Sequence, residues 1–167
     1  MRPGCYNTPA FLFNLFLSNM KKSDPVIIVE QVLEAPLADI WTFITEKRHM
    51  CQWFFSDIPS FDACKGFQTK FNVTSGKRVF PHVWEILEVI EYKKIVYSWS
   101  YDGYKGDSKV YFELFPEGKI TRLKVSMEVL ENFSDDIPEF RRESCEGGWK
   151  YFINDSLKKY VDNYMVA

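Results

Sequence analysis

The spacing of hydrophobic positions changes three times along this chain, and each change predicts a different kind of element. Val26-Ile-Ile-Val-Glu-Gln-Val-Leu33 is a compact β-branched run, which predicts a strand. Pro36 then suits the start of a helix, where its missing N–H has no partner to lose, and Leu37, Ile40, Trp41, Phe43 and Ile44 continue a helical face to about residue 46. His49 to Phe55 predicts a second short helix ending near Pro59. After Phe61 the period falls to two. Phe67, Thr69, Phe71 and Val73 alternate with polar residues, with Phe67 and Phe71 facing inward, and Ser75-Gly76 offers a turn. Strands follow over 80–92, with turns at Lys93-Lys94, Asp102-Gly103 and Glu117-Gly118 separating inward sets Tyr97 and Trp99, then Val110, Phe112 and Leu114, then Thr121 to Val129. This is the pattern of an antiparallel meander.

The last change returns to a helical period. Asp136 and Glu139 have the three-residue offset of a capping box, with Pro138 in the first turn, so the closing helix is expected to start there. Trp149, Phe152, Ile153, Leu157, Tyr160, Val161 and Tyr164 form one apolar stripe that must be buried, and the strands are the surface available to bury it. Gly147-Gly148 inside the helix predicts a packing reason for small residues or a break dividing the helix, or else a kink where it crosses the sheet.

At 167 residues and 46% hydrophobic, the chain has the size of one domain with a substantial core. A charge of -2 leaves no basic face for nucleic acid. Ala10 to Leu17 is strongly apolar but far short of the roughly 20 residues a spanning helix needs, and Ser18-Asn19-Met20 makes a poor cleavage site. Residues 1–22 are therefore read as an extension outside the fold and residues 23–167 as a single domain. Cys5, Cys51, Cys64 and Cys145 lack paired zinc spacing, and free thiols suit the cytoplasm; Cys51 and Cys64 are read as core thiols.

Candidate chemistry is sparse. His49 is expected at the surface or a helix end, and His82, in a strand beside Trp84, points either into a pocket or to solvent. Neither has a neighbour at metal-ligand spacing, so no metal and no cofactor is expected. An acid–base pair would have to join His82 to Glu85 or Glu113, neither at a convincing spacing. Asp102 to Asp107 lacks the context of a phosphate loop and reads as a hairpin loop. Aromatics make up 17% of the chain, and Trp53, Phe71, Trp84, Tyr97, Trp99, Phe112, Trp149 and Phe152 either fill a thick core or wall a cavity.

Five stretches in this order resemble the helix-grip, START-like SRPBCC superfamily, and within it the activator-of-heat-shock-protein-ninety-ATPase-homologue-like branch. They are Ala35-Pro36-Leu-Ala-Asp-Ile-Trp41, Gln52-Trp53-Phe54, Gly66-Phe67, Glu88 to Trp99, and Gly148-Trp149, and the likeness covers roughly residues 26–164. It implies an α+β fold: a curved antiparallel sheet of about six or seven strands, two short helices after the first, and a long C-terminal helix across the concave face. A sheet–helix cavity implied by that geometry would be lined by the eight aromatics above together with His82, with the Tyr97 hydroxyl and Trp99 N–H orienting a polar atom of the ligand. The function expected is non-enzymatic binding of a small hydrophobic or amphipathic molecule by a monomer or homodimer with no membrane span. A co-chaperone-like interaction domain is the alternative, although the true co-chaperone carries a further large domain for which this chain has no room. A cyclase- or hydrolase-like enzyme comes third.

Overall fold

In the computed structural model, which describes residues 18–166, four hairpins turn the alternating segments into a meander. Its strands are β2 (Gln68–Ser75), β3 (Arg78–Ile90), β4 (Lys94–Tyr101), β5 (Asp107–Glu117) and β6 (Ile120–Glu131). The first strand, β1 (Ile27–Leu33), pairs with the free side of β6 and completes a six-stranded, wholly antiparallel sheet in the order β1-β6-β5-β4-β3-β2. Register shifts between Ile86 and Glu88 in β3, and between Asp107 and Ser108 in β5, are the local irregularities that bend such a sheet. Alternation is strict where it matters: Phe80, His82, Trp84 and Ile86 of β3 are buried on one face, as are Val110, Phe112 and Leu114 of β5.

Two helices, α1 (Leu37–Thr45) and α2 (Lys47–Trp53), fill the link between β1 and β2, with Pro36 capping α1 in extended geometry. Trp53 ties them together, its indole N–H donating to the Phe43 carbonyl over 2.8 Å. A composite C-terminal helix then runs through α3 (Arg142–Lys150), a π-helical segment (Tyr151–Leu157) and α4 (Lys158–Met165). Its buried row is Trp149, Ile153, Leu157 and Val161, one residue in every four. In an α-helix that spacing drifts by about 40° per step and would carry the row off the sheet. The wider π turn rotates it back. Asn154 and Ser156 pin the π segment from outside: Asn154 Nδ2 donates to the Glu30 carbonyl at 2.9 Å and the Ser156 hydroxyl to the Trp53 carbonyl at 2.6 Å.

Three expectations are corrected here. The boundary at residue 22 falls inside the fold: Met20 is 2% exposed, its N–H donates to the Phe140 carbonyl and its carbonyl accepts from Phe133. Residues 1–17 of the expected extension lie outside the described residues. The helix does not begin at Asp136, because Pro138–Phe140 forms one 3-10 turn and Arg141 is extended and bridged to Asn19. That pairing engages the backbone that a continuous helix would require, and Glu139 turns to Arg78 rather than back to a cap. Finally, the helix passes through Gly147 and Gly148 without a break, and the irregularity is the π segment that follows.

Gly106 is the tightest of the described glycines. Its φ is 127°, and a Cβ there would overlap the ring of Phe133. Gly106→Ala should lower stability by about 3 kcal/mol through strain and overpacking together. Gly103→Ala, with φ 81° and open space around the added carbon, should cost about 1 kcal/mol. Urea unfolding of the two variants checks the difference, and equal losses would show that the Phe133 contact does not constrain the loop.

Candidate functional site

The interior divides into a solid part and a hollow part. Phe54, just beyond α2, is the hub of the solid part: its ring stacks on Trp53 at 4.7 Å, lies 5.7 Å from Trp84 and meets Phe152 edge-on at 4.9 Å. Trp84 and Tyr97 are parallel at 5.3 Å, and Tyr97 meets Phe112 at 5.5 Å. Trp53, Trp84, Tyr97 and Phe112 are therefore core, each 2% exposed or less. Phe71 is a second layer, stacked on His82 at 5.2 Å without reaching the hollow.

The hollow part is a cavity of about 180 Å³ between the sheet and α3. Four of the nine residues expected at a site line it: His82, Trp99, Trp149 and Phe152. The other lining includes Met20, Phe55, Tyr101, Met127, Cys145 and Gly148. A second hollow of about 150 Å³ shares His82, Tyr101 and Glu139 with the first and continues toward Ser75 and Phe140. Gly148 is what leaves the room, since a Cβ built on it meets nothing within 4 Å. A packing reason for small residues at Gly147-Gly148 was legible in the helical cost of two glycines, but not that it is room for a cavity. Met20 and Glu139 were beyond the reach of sequence reasoning, because loop pairing rather than periodicity brings them in.

The polar groups differ from those expected. The Trp99 N–H is already committed to the Tyr101 hydroxyl at 3.1 Å, and Tyr97 does not line the cavity. His82 and Tyr101, directly paired across β3 and β4, supply the polar edge instead. Nδ1 of His82 lies 2.9 Å from the Phe80 carbonyl, which can only accept, so Nδ1 carries the proton and Nε2 has the lone pair. Burial pushes the imidazole down to about 4, against a partial opposing effect of the carbonyl, so the ring is neutral. Burial likewise raises the Tyr101 phenol far above its usual value and pushes the Cys145 thiol up to about 12, leaving it 3.2 Å from Met127 Sδ as a protonated group. Glu85 and Glu113 point to the opposite face of the sheet, so neither can serve His82; the carboxylate beside the cavity is Glu139, held by Arg78 at 3.3 Å.

His49 is not at the surface. It is 3% exposed, with Nδ1 2.5 Å from the Tyr160 hydroxyl and its ring edge-on to Phe43. Cys64 is exposed and Cys51 half-buried rather than core. Among the described residues no three His, Cys, Asp or Glu side chains group as metal ligands, and no helix is long and apolar enough to cross a membrane.

The neutral state of His82 has a consequence for stability. Its folded pKa lies below the unfolded value of about 6.5, so between about pH 6.5 and 4 the unfolded chain takes up a proton that the native chain refuses. Stability should fall across that window by roughly 3 kcal/mol on this account, in addition to a contribution from His49, which burial also lowers. His82→Gln should flatten the slope in urea unfolding between pH 7 and 4.5. An unchanged slope would mean that His82 titrates normally in the native chain.

Comparison with known proteins places this geometry. The family model described as Activator of Hsp90 ATPase homolog 1-like protein matches residues 34–162. No curated protein matches the chain. The crystal structure of DynU16, a protein in the dynemicin biosynthetic locus, aligns with TM-score 0.68 at 20% identity, covering 84% of this chain and 48% of that one, so this chain spans about half of DynU16. CV1439 from Chromobacterium violaceum aligns with TM-score 0.67 at 21% identity over 82% of this chain and 96% of its own. The Aha1 dimer from Colwellia psychrerythraea gives TM-score 0.64 at 17% identity over 83% and 96%. At such identities the structural likeness establishes the START-like helix-grip fold, and the family match goes further: this chain belongs to the Activator of Hsp90 ATPase homolog 1-like family.

Proposed function

We propose that this chain is a non-enzymatic binding domain whose ligand, a small apolar or amphipathic molecule, sits between the sheet and the C-terminal helix. The observation that carries the reading is the hollow of about 180 Å³ beside Gly148, next to a tightly packed cluster of rings around Phe54. An apolar cavity of about 150 Å³ takes up benzene, so a single ring or a short branched chain is the scale of occupant. A structural neighbour in a biosynthetic locus fits a role in handling small organic molecules. An acid–base reading would rest on His82 alone, since Glu85 and Glu113 lie on the opposite face of the sheet. A co-chaperone-like role rests on the family description alone. The free thiols of Cys51, Cys64 and Cys145 suit a cytoplasmic setting.

Trp99 and Trp149 wall the cavity and report its filling. Small aromatic compounds should quench tryptophan fluorescence saturably in the native protein. Gly148→Leu should weaken that binding at least tenfold by occupying the space, while the unfolding midpoint stays level or rises, since leaving glycine in a helix gains about 1 kcal/mol. Absence of saturation across aromatic, terpenoid and short-chain compounds would remove the reading. Undiminished binding to Gly148→Leu would move the site elsewhere.

A further inference from the structure

We propose that the ligand of this cavity carries a neutral hydroxyl group, of the phenol or alcohol class, which donates to Nε2 of His82 and accepts from the hydroxyl of Tyr101. The inference rests on the binding reading above and specifies its chemistry.

His82 is 6% exposed, and its imidazole is caged by Phe71, Phe55 and Tyr101, whose ring lies edge-on at 4.7 Å. The Phe80 carbonyl fixes the tautomer, so the nitrogen left over is an acceptor. Nε2 has no protein partner among the described residues. Unlike Nε2 of His49, it is not sealed behind neighbouring atoms, and the residue lines the cavity. An acceptor that borders the cavity and has no protein donor favours an occupant that brings one over an occupant that does not.

Tyr101 supplies the complementary half. Its oxygen accepts the Trp99 N–H at 3.1 Å, and its own hydrogen has no acceptor among the described residues. Other lining donors are occupied or weak: the Ser144 hydroxyl donates to the Pro138 carbonyl at 3.2 Å, and the Cys145 thiol faces Met127 Sδ. An adjacent acceptor and donor on paired strands match a hydroxyl, which does both. Charge excludes the obvious competitor. No lysine or arginine lines the cavity, and Glu139, which does, is already paired with Arg78, so a carboxylate ligand would find like charge and no lining cation.

The test compares p-cresol, p-xylene and p-toluate, which share a ring and differ in the group offered to His82, by tryptophan quenching of the full chain. Wild type should bind p-cresol at least as tightly as p-xylene, although water retains the cresol more strongly, and should bind p-toluate at least tenfold more weakly than p-cresol. His82→Leu should weaken p-cresol about tenfold and leave p-xylene within about twofold, while His82→Gln, which keeps an acceptor, should hold most of the cresol affinity. Tyr101→Phe gives a second handle should His82→Leu fail to fold: it should weaken p-cresol several-fold and spare p-xylene. Equal losses of p-cresol and p-xylene in the variants, or undiminished cresol binding, would overturn the hydroxyl inference while leaving the cavity as a binding site. Failure of all three compounds to saturate the wild type would instead overturn the binding reading beneath it.

Discussion

The structure depends on one row of side chains meeting one face of a sheet. Trp149, Ile153, Leu157 and Val161 recur every four residues, a spacing that an ideal α-helix cannot keep on one side over three steps. The π segment reconciles sequence with geometry. Its wide turn returns the row to the sheet, and the hydrogen bonds of Asn154 to β1 and Ser156 to the end of α2 hold it there. Each buried side chain of that row contributes about 2 kcal/mol in removing apolar surface from water, so a slip of the row would forfeit several such terms at once. The helix is thereby fixed in rotation as well as position, and that fixes which residues of α3 look inward.

From that rotation follows the location of the hollow. Trp149 and Cys145 turn toward the sheet, and Gly148 beside them brings no side chain to fill the gap. Phe54, behind the wall of that gap, brings its neighbours into near contact and leaves no such gap around itself. The aromatic excess thus serves two purposes in one fold. Trp53, Trp84, Tyr97 and Phe112 are structural mass, while Trp99, Trp149, Phe55 and Phe152 wall a space. Met20 and Phe140 close the end nearest the 3-10 turn, which is why the N-terminal boundary matters to the site and not only to the fold.

Much of this architecture was legible in the sequence. Period-two alternation located β2, β4, β5 and β6, the turns on either side bounded β3, and Pro36 located α1, because those signals are local. What failed was non-local. The Asp136/Glu139 pattern reads as a cap only if the chain is free to coil there, and pairing with Asn19 takes that freedom away. Of the expected site residues, His82, Trp99, Trp149 and Phe152 line the cavity, while Trp53, Phe71, Trp84, Tyr97 and Phe112 pack behind it. Alternation says which residues face inward. It cannot say which inward residues meet a partner and which meet a gap, since that depends on the helix placed over them.

The two histidines show how much the gap decides. Both are buried, both hold one nitrogen in a hydrogen bond, and burial lowers the affinity of both for a proton. At His49 the second nitrogen is sealed among rings with no partner, so its unmet hydrogen-bonding capacity is a standing loss of stability that no small molecule can relieve. At His82 the second nitrogen borders open volume instead, so an occupant that brings a donor can bond to it and stabilises the native state as it binds. The same side chain, buried at both positions, therefore takes opposite roles. The difference lies in the shape of the space beside them, and Gly148 and the π-set rotation of the helix determine that shape.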